Sequence, residues 1–86
     1  MEEIITFGDA LEALKNGFCV SRQGWNGKGM WLVLVAPKET VLFFDNNSEL
    51  QDYETHPFIA MKTVDDKLVP WLASQTDMLA EDWCIV

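Results

Sequence analysis

Apolar side chains near the start of the chain recur at intervals of three and four residues, the spacing of one stripe of a helix. The positions that form this stripe are Phe7, Ala10, Leu11 and Leu14. Thr6 immediately precedes the stripe, and Asp9 lies three residues after Thr6, as in a helix-capping box. An Asn-Gly pair at 16–17 is a typical stop signal. The pattern therefore predicts a short N-terminal helix across residues 6–17.

Short apolar runs that are typical of strands follow this helix. They cover residues 18–22, 30–36, 41–44, 58–63, 67–71 and 84–86. A polar, turn-rich segment at 45–57 separates the third run from the fourth and is interpreted as a long exposed loop. Pro70 indicates that the strand containing it lies at a sheet edge or ends there. Ser74 and Asp77 form a second capping-box pattern at the start of a short helix across 74–82.

The order of these elements predicts a single α+β domain across residues 1–86: a small antiparallel sheet with an N-terminal helix and a short C-terminal helix. The run at 30–36 is apolar at every position and so has two apolar faces. One face can pack on the N-terminal helix, and the other requires a different cover. Because 49% of the 86 residues are hydrophobic, a chain this short has more apolar surface than one small core hides. We therefore expect a homo-oligomer.

The chain carries a net charge of −8, which opposes binding to a nucleic acid polymer. No apolar run approaches the ~18 residues of a membrane span, and the acidic N-terminus does not resemble a secretory signal. We therefore expect a cytoplasmic protein with no membrane partner. In that compartment Cys19 and Cys84 are expected to be thiols, with a disulfide as the less favoured alternative.

Catalytic and metal-binding signatures are absent from the sequence. The single histidine, His56, precedes a proline in the acidic segment and is interpreted as a surface residue. No cysteine or histidine spacing fits a zinc site, and neither a phosphate-binding P-loop nor a nucleophile elbow occurs. We therefore predict no metal, no cofactor and no catalytic residue.

A glycine-rich stretch at 24–31, GWNGKGMW, joins the first two predicted strands and contains the first group of candidate ligand contacts. Glycines let the backbone adopt positive φ and present N–H groups to a ligand. An indole can stack on a base, an asparagine can read donor and acceptor edges, and cations can neutralise phosphate. The candidates are Arg22, Trp25, Asn26, Gly27, Lys28 and Gly29. The alternative is a structural hairpin connection whose Trp25 fills the core.

A second stretch, LVPWLASQTDMLAEDW at 68–83, places a polar cluster at the predicted start of the short C-terminal helix. The N-terminus of a helix is suited to an anion, although capping alone accounts for Ser74 and Asp77. Capping leaves the neighbouring polar and aromatic residues unexplained. The candidates in this stretch are Trp71, Ser74, Gln75, Thr76 and Asp77.

Together these two stretches resemble the second type of the phage Thoeris anti-defence family. The resemblance spans nearly the whole chain and is weakest at 45–56. It implies a sponge that binds a cyclic immune nucleotide of the glycocyclic ADP-ribose type and does not degrade it. Cyclic dinucleotides in a separate site are a further implication. The resemblance also implies a homotetramer with ligand pockets at subunit interfaces.

Two other functions remain open from the residues themselves. The acidic segment at 45–54 could block a basic protein partner, in which case its carboxylates would carry the inhibition. Those carboxylates belong to Asp45, Glu49, Asp52 and Glu54. A nucleotide hydrolase is the weakest interpretation, because no base or metal set is visible.

Overall fold

A computed structural model describes residues 3–25, 29–36 and 40–86. This part of the chain forms two helices and seven strands, and the predicted α+β class is confirmed. In chain order they are α1 (Phe7–Lys15), β1 (Val20–Arg22), β2 (Trp31–Val35), β3 (Thr40–Phe44), β4 (Leu50–Glu54), β5 (Phe58–Lys62), β6 (Leu68–Pro70), α2 (Gln75–Leu79) and β7 (Trp83–Ile85).

Five of the strands form one antiparallel sheet in the order β6-β5-β2-β1-β7. β1 and β2 pair antiparallel, as the predicted antiparallel sheet requires, with Val20 opposite Leu32. β6 pairs only with β5 in this sheet and forms one edge, so Pro70 stands at an edge as predicted. β7 returns from α2 to pair with β1 at the other edge, with Arg22 opposite Trp83.

α1 covers one face of this sheet and forms the core with it. Thr6 caps the helix by accepting a hydrogen bond from the backbone N–H of Asp9 at 3.2 Å. Gly17 ends the turn after the helix at φ 90°, a left-handed conformation that favours glycine. The fully buried core lies between this helix and the sheet. It consists of Ala10, Ala13, Leu14, Val20, Leu32 and Trp83.

The opposite face of the sheet has no helix on it within the described part of the chain. Because Leu32 lies in the core beneath α1, strand alternation places Trp31, Val33 and Val35 on the other face. All three are only half-buried. The prediction that β2 is apolar on both faces is therefore confirmed, whereas its cover by a second subunit stays a prediction.

The predicted loop at 45–57 was wrong, because residues 50–54 form strand β4, which pairs with β3 in a separate two-stranded hairpin. Asp45 holds the connecting turn: one carboxylate oxygen accepts the backbone N–H groups of Asn47 at 2.8 Å and Glu49 at 3.0 Å. Ser48 adopts φ 61° in this turn. The turn thus uses an aspartate and a serine at positive φ, where hairpin turns more often have glycine.

The C-terminal helix is shorter than its predicted span of 74–82, since α2 contains only residues 75–79. Ala80 already has extended backbone angles, which lets the chain turn into β7. Cys84 is buried and lies 3.6 Å from the Ser21 hydroxyl, and Cys19 is half-buried. Neither described helix is long and apolar enough to cross a membrane.

Candidate functional site

The two candidate stretches meet at the side chain of Arg22, at the end of β1. Its Nε donates to Asp82 Oδ1 at 2.9 Å, and its Nη1 donates to Asp77 Oδ1 at 2.9 Å. The three side chains are 17%, 30% and 15% exposed, respectively. One guanidinium therefore joins the strand that leads into the glycine-rich stretch to both ends of the α2 region.

Asp77 also caps α2, as the sequence pattern predicted. Its Oδ2 accepts the Ser74 backbone N–H at 3.2 Å and the Ser74 hydroxyl at 2.8 Å. The Ser74 hydroxyl in turn accepts the Asp77 N–H at 3.0 Å. The side chains of both residues are engaged in structure rather than directed at a ligand, and α2, at five residues, is too short to carry a substantial dipole.

The contacts of this cluster keep its three ionisable groups charged. The Asp82 hydrogen bond raises the pKa of Arg22 above its usual value, and the Arg22 hydrogen bond lowers the pKa of Asp82. Burial is the largest single influence on Asp77 and acts to raise its pKa, but hydrogen bonds from Ser74 and Arg22 together lower it. The cluster carries a net charge of −1, so Arg22 has little positive charge left for the phosphate that the sequence assigned to it.

The beginning of the glycine-rich stretch is fixed by the same cluster. The Gly24 N–H donates to Asp82 Oδ2 at 2.9 Å. A Cβ at Gly24 would lie 3.0 Å from that oxygen, so the close approach favours glycine. Gly29 adopts φ 90° at the other end of the stretch. The candidates Asn26, Gly27 and Lys28 lie outside the described residues.

Three aromatic side chains gather beside this cluster around the fully buried Trp83. Trp25 meets Trp83 edge-to-face at a centroid distance of 5.4 Å, and Trp71 does so at 6.0 Å. Phe7 lies 5.4 Å from Trp83 on α1. Trp25 and Trp71 pack against the core and remain half-buried. Part of the Trp25 ring is thus packed in the structure, as the hairpin interpretation expects, while part of its surface remains accessible for stacking on a ligand.

Gln75 and Thr76 are exposed polar residues of the second candidate stretch, as is Ser74, which the helix cap already uses. Within the described chain neither the Gln75 nor the Thr76 side chain makes a hydrogen bond. They occupy the first two positions of α2 and directly precede Asp77, which Arg22 connects to the glycine-rich stretch. Their amide and hydroxyl groups are therefore available to bind a polar ligand next to the site cluster.

Sequence reasoning missed three residues that build this region. Asp82 and Trp83 belong to the same stretch as the candidates. Nothing in the local sequence indicates that Asp82 pairs with Arg22, 60 residues away. Lys62 donates to the Gly29 carbonyl at 2.9 Å and pairs with Asp66 at 2.7 Å. Its place opposite Trp31 in β5 brings an ammonium to the end of the glycine-rich stretch, which only strand pairing could reveal.

The described residues contain no group of three or more histidine, cysteine or acidic side chains that could hold a metal ion. A pocket of about 480 Å³ lies elsewhere, on the β5–β6 side of the sheet. It is lined by Val35, Thr55, Phe58, Ala60, Leu68, Val69 and Pro70. None of the candidate ligand residues that the structure describes lines this pocket. The candidate site is thus an exposed surface between two segments in the single chain.

Comparison with known proteins agrees with the resemblance of the two stretches. Residues 5–86 match the family model of the Thoeris anti-defense 2-like domain. The chain is also 44% identical over 90 residues to Thoeris anti-defense 2 of Bacillus phage SP01, an alignment that covers 100% of this chain and 99% of that protein. Both matches include the glycine-rich stretch, the α2 segment and the strands that hold them together. This protein therefore belongs to the Thoeris anti-defense 2-like family and has the anti-defense role of that family.

Proposed function

We propose that this protein acts as a sponge: it binds a cyclic nucleotide immune signal of the glycocyclic ADP-ribose type in the host cytosol and retains it intact. Membership in an anti-defense family supports the biological role. The chemistry of the candidate site supports the ligand class. A sponge needs a shaped polar and aromatic surface, and it needs no group that breaks a bond in the ligand.

The observation that carries this proposal is the link through Arg22 between the two candidate stretches. Hydrogen bonds to Asp77 and Asp82 hold the glycine-rich stretch against the start of α2. That link places the half-buried indole of Trp25 and the exposed side chains of Gln75 and Thr76 on connected segments. An adenine can stack on an indole, while an amide and a hydroxyl can hydrogen-bond to its edge or to a ribose.

The phosphate groups of such a ligand are assigned to lysines rather than to Arg22. Lys62 already donates to the Gly29 carbonyl, and it can bind a phosphate by exchanging its exposed partner Asp66 for the ligand. Lys28 lies in the same glycine-rich stretch. Positive charge from these two residues would offset part of the chain's net charge of −8 at the point where an anion binds.

Self-assembly is part of the proposal, with a homotetramer as the expected form and ligand pockets between subunits. The candidate residues form an open surface in one chain, and a second copy would supply the missing wall. The half-buried apolar face formed by Trp31, Val33 and Val35 offers surface for such assembly. A separate site for cyclic dinucleotides is compatible with this arrangement.

Isothermal titration against glycocyclic ADP-ribose isomers, linear ADP-ribose and 3′,3′-cyclic dinucleotides tests the proposal directly. We expect tight binding of one cyclic compound and recovery of that compound, unaltered, after the complex is denatured. A chemically changed product would establish an enzyme instead. An absence of binding across the panel would remove the sponge mechanism.

The alternative of a protein inhibitor has one observation in its favour: the acidic segment 45–54 forms the turn and second strand of the β3–β4 hairpin, and Glu49, Asp52 and Glu54 are exposed there. Asp45 holds the turn of this hairpin, so an informative variant leaves it intact and neutralises the others. We expect the triple variant Glu49→Gln, Asp52→Asn, Glu54→Gln to retain anti-defense activity if the protein is a sponge. Loss of activity with unchanged nucleotide binding would favour the inhibitor.

A further inference from the structure

The Lys62 side chain is held in one place rather than extended into solvent. It is only 22% exposed, and its residue stands directly opposite Trp31 across β2 and β5. Its ammonium donates to the Gly29 carbonyl at 2.9 Å, and a Cβ at Gly29 would lie 3.7 Å from the same nitrogen. Lys62 therefore fixes a positive charge at the end of the glycine-rich stretch.

The carboxylate of Asp66 occupies this ammonium in the structure. Its Oδ1 lies 2.7 Å from the Lys62 Nζ, and its side chain is 81% exposed. An ion pair that is open to water on one side contributes little free energy and exchanges readily. The pair thus joins a positioned cation to an acid that a dissolved anion can replace.

The β5–β6 turn that carries Asp66 is held by other bonds. The Thr63 N–H donates to the Lys67 carbonyl at 2.8 Å, and the Asp66 N–H donates to the Thr63 carbonyl at 3.1 Å. The Thr63 hydroxyl accepts the Lys67 N–H at 3.1 Å. None of these bonds uses the Asp66 carboxylate, so that group can leave Lys62 while the turn keeps its shape.

We propose that Asp66 is a specificity-determining residue: as a tethered anion it keeps weakly binding anions off Lys62 and yields to a pyrophosphate. The inference rests on the proposed function and names how its phosphate contact is regulated. A group on a short tether competes at an effective concentration of about millimolar. Every dissolved anion therefore loses the same factor in affinity.

The consequence of that common factor differs between ligands. An anion with weak intrinsic affinity, such as inorganic phosphate, falls below the concentration at which it would fill the site. A pyrophosphate starts from a higher affinity, because it offers two charged groups to an ammonium with three N–H donors. The donor to Gly29 stays in place during the exchange, so the ligand gains the donor that Asp66 releases. A protein that stores a pyrophosphate-containing signal thus avoids saturation by common anions.

Inorganic pyrophosphate is the probe that tests this role without any cyclic nucleotide. Two-dimensional NMR titration follows the backbone amides of Met30 and Lys62 in the parent, in Asp66→Asn and in Asp65→Asn. Asp66 has φ 63°, a conformation that asparagine tolerates, so the first variant should fold. Asp65→Asn is the matched control, because it removes the same charge one residue away from a carboxylate that accepts the Thr63 hydroxyl.

We expect Asp66→Asn to bind pyrophosphate about two- to fivefold more tightly than the parent, the factor that corresponds to a weak exposed ion pair. Asp65→Asn should gain clearly less. In a Lys62→Gln background, the Asp66→Asn change should have no effect on pyrophosphate affinity. Circular dichroism verifies that each variant is folded, and the two aspartate variants decide the matter if Lys62→Gln does not fold.

An Asp66→Asn variant with the parent affinity would overturn the inference. Equal gains in the two aspartate variants would do so too, as would an absence of pyrophosphate shifts at both amides. Titration of the parent with the cyclic nucleotide panel keeps the two proposals distinct. If no cyclic nucleotide binds but pyrophosphate behaves as expected, only the sponge is lost. If a cyclic nucleotide binds and Asp66→Asn gains nothing, only the role of Asp66 is lost.

Discussion

The Arg22 guanidinium lies between the carboxylates of Asp77 and Asp82, at 2.9 Å from each. Asp77 lies within α2 and Asp82 lies just beyond its end, 55 and 60 residues along the chain from the arginine. Through Asp82, the contact extends to the backbone of Gly24. The principal role of this arginine is therefore to position the glycine-rich stretch against α2, and its effect on a ligand is indirect.

Replacement of Arg22 by alanine should destabilise the fold. The substitution leaves two partly buried carboxylates next to each other without their cation, and we expect a loss of about 2–3 kcal/mol in the free energy of unfolding. Urea denaturation measures this loss. Lys15→Ala is the matched control, because Lys15 forms an exposed pair with Glu12 at 3.8 Å and should cost less than about 1 kcal/mol. Equal costs for the two variants would contradict the positioning role.

Stability should fall as the pH is lowered into the acidic range. The pKa values of Asp77 and Asp82 are lowered in the fold from an ordinary value of 3.8. Unfolding therefore takes up protons at low pH, and the stabilisation is complete above the ordinary pKa and is lost as the pH falls through the lowered values. The raised pKa of Arg22 acts only at strongly alkaline pH.

Asp82→Asn checks the source of this pH dependence. The urea midpoint of the variant should be lower than that of the parent near neutral pH. It should also change less than the parent's between about pH 6 and pH 3, the range in which carboxylates take up protons. Glu81→Gln is the control, since Glu81 is the exposed neighbour and makes none of the bonds of the cluster. An unchanged pH profile in Asp82→Asn would show that other carboxylates dominate acid unfolding.

Trp25→Ala should separate ligand binding from core packing. The ring is half-buried against Trp83, so the variant should remain folded while its affinity for the cyclic nucleotide falls by roughly 1–3 kcal/mol. Trp83→Ala is the comparison: removal of a fully buried indole should cost about 3–5 kcal/mol of stability. Melting temperature and titration, measured on both variants, give the two quantities. Trp25→Ala with full affinity would assign this indole to the core alone.

Gln75→Ala and Thr76→Ala should weaken ligand binding and leave stability within about 0.5 kcal/mol of the parent, because both side chains are exposed and make no hydrogen bond within the described chain. Ser74→Ala should act in the opposite way, with a loss of ~1 kcal/mol in stability through the capping box. Thermal melts and titrations measure the two effects. Parent-like affinity in both Gln75→Ala and Thr76→Ala would place the ligand elsewhere.

Local patterns in the sequence determined most of the elements. The helical stripe and the caps at Thr6 and Ser74 depend on residues three or four positions apart, and such signals survive without any knowledge of the fold. The apolar run at 30–36 likewise predicted a strand with two apolar faces. The two candidate stretches could also be located from the sequence, because glycines and polar residues between apolar neighbours are not explained by core packing.

Long-range pairing decided the rest. The sequence predicts a loop at β4, because its polar residues outnumber its apolar ones and its turn lacks glycine. Only pairing with β3 makes it a strand. In the same way, the partner of Arg22 could not be inferred from the sequence. A phosphate ligand and a partly buried carboxylate both attract a guanidinium. Arg22 binds carboxylates because the pairing of β7 with β1 brings them to the guanidinium.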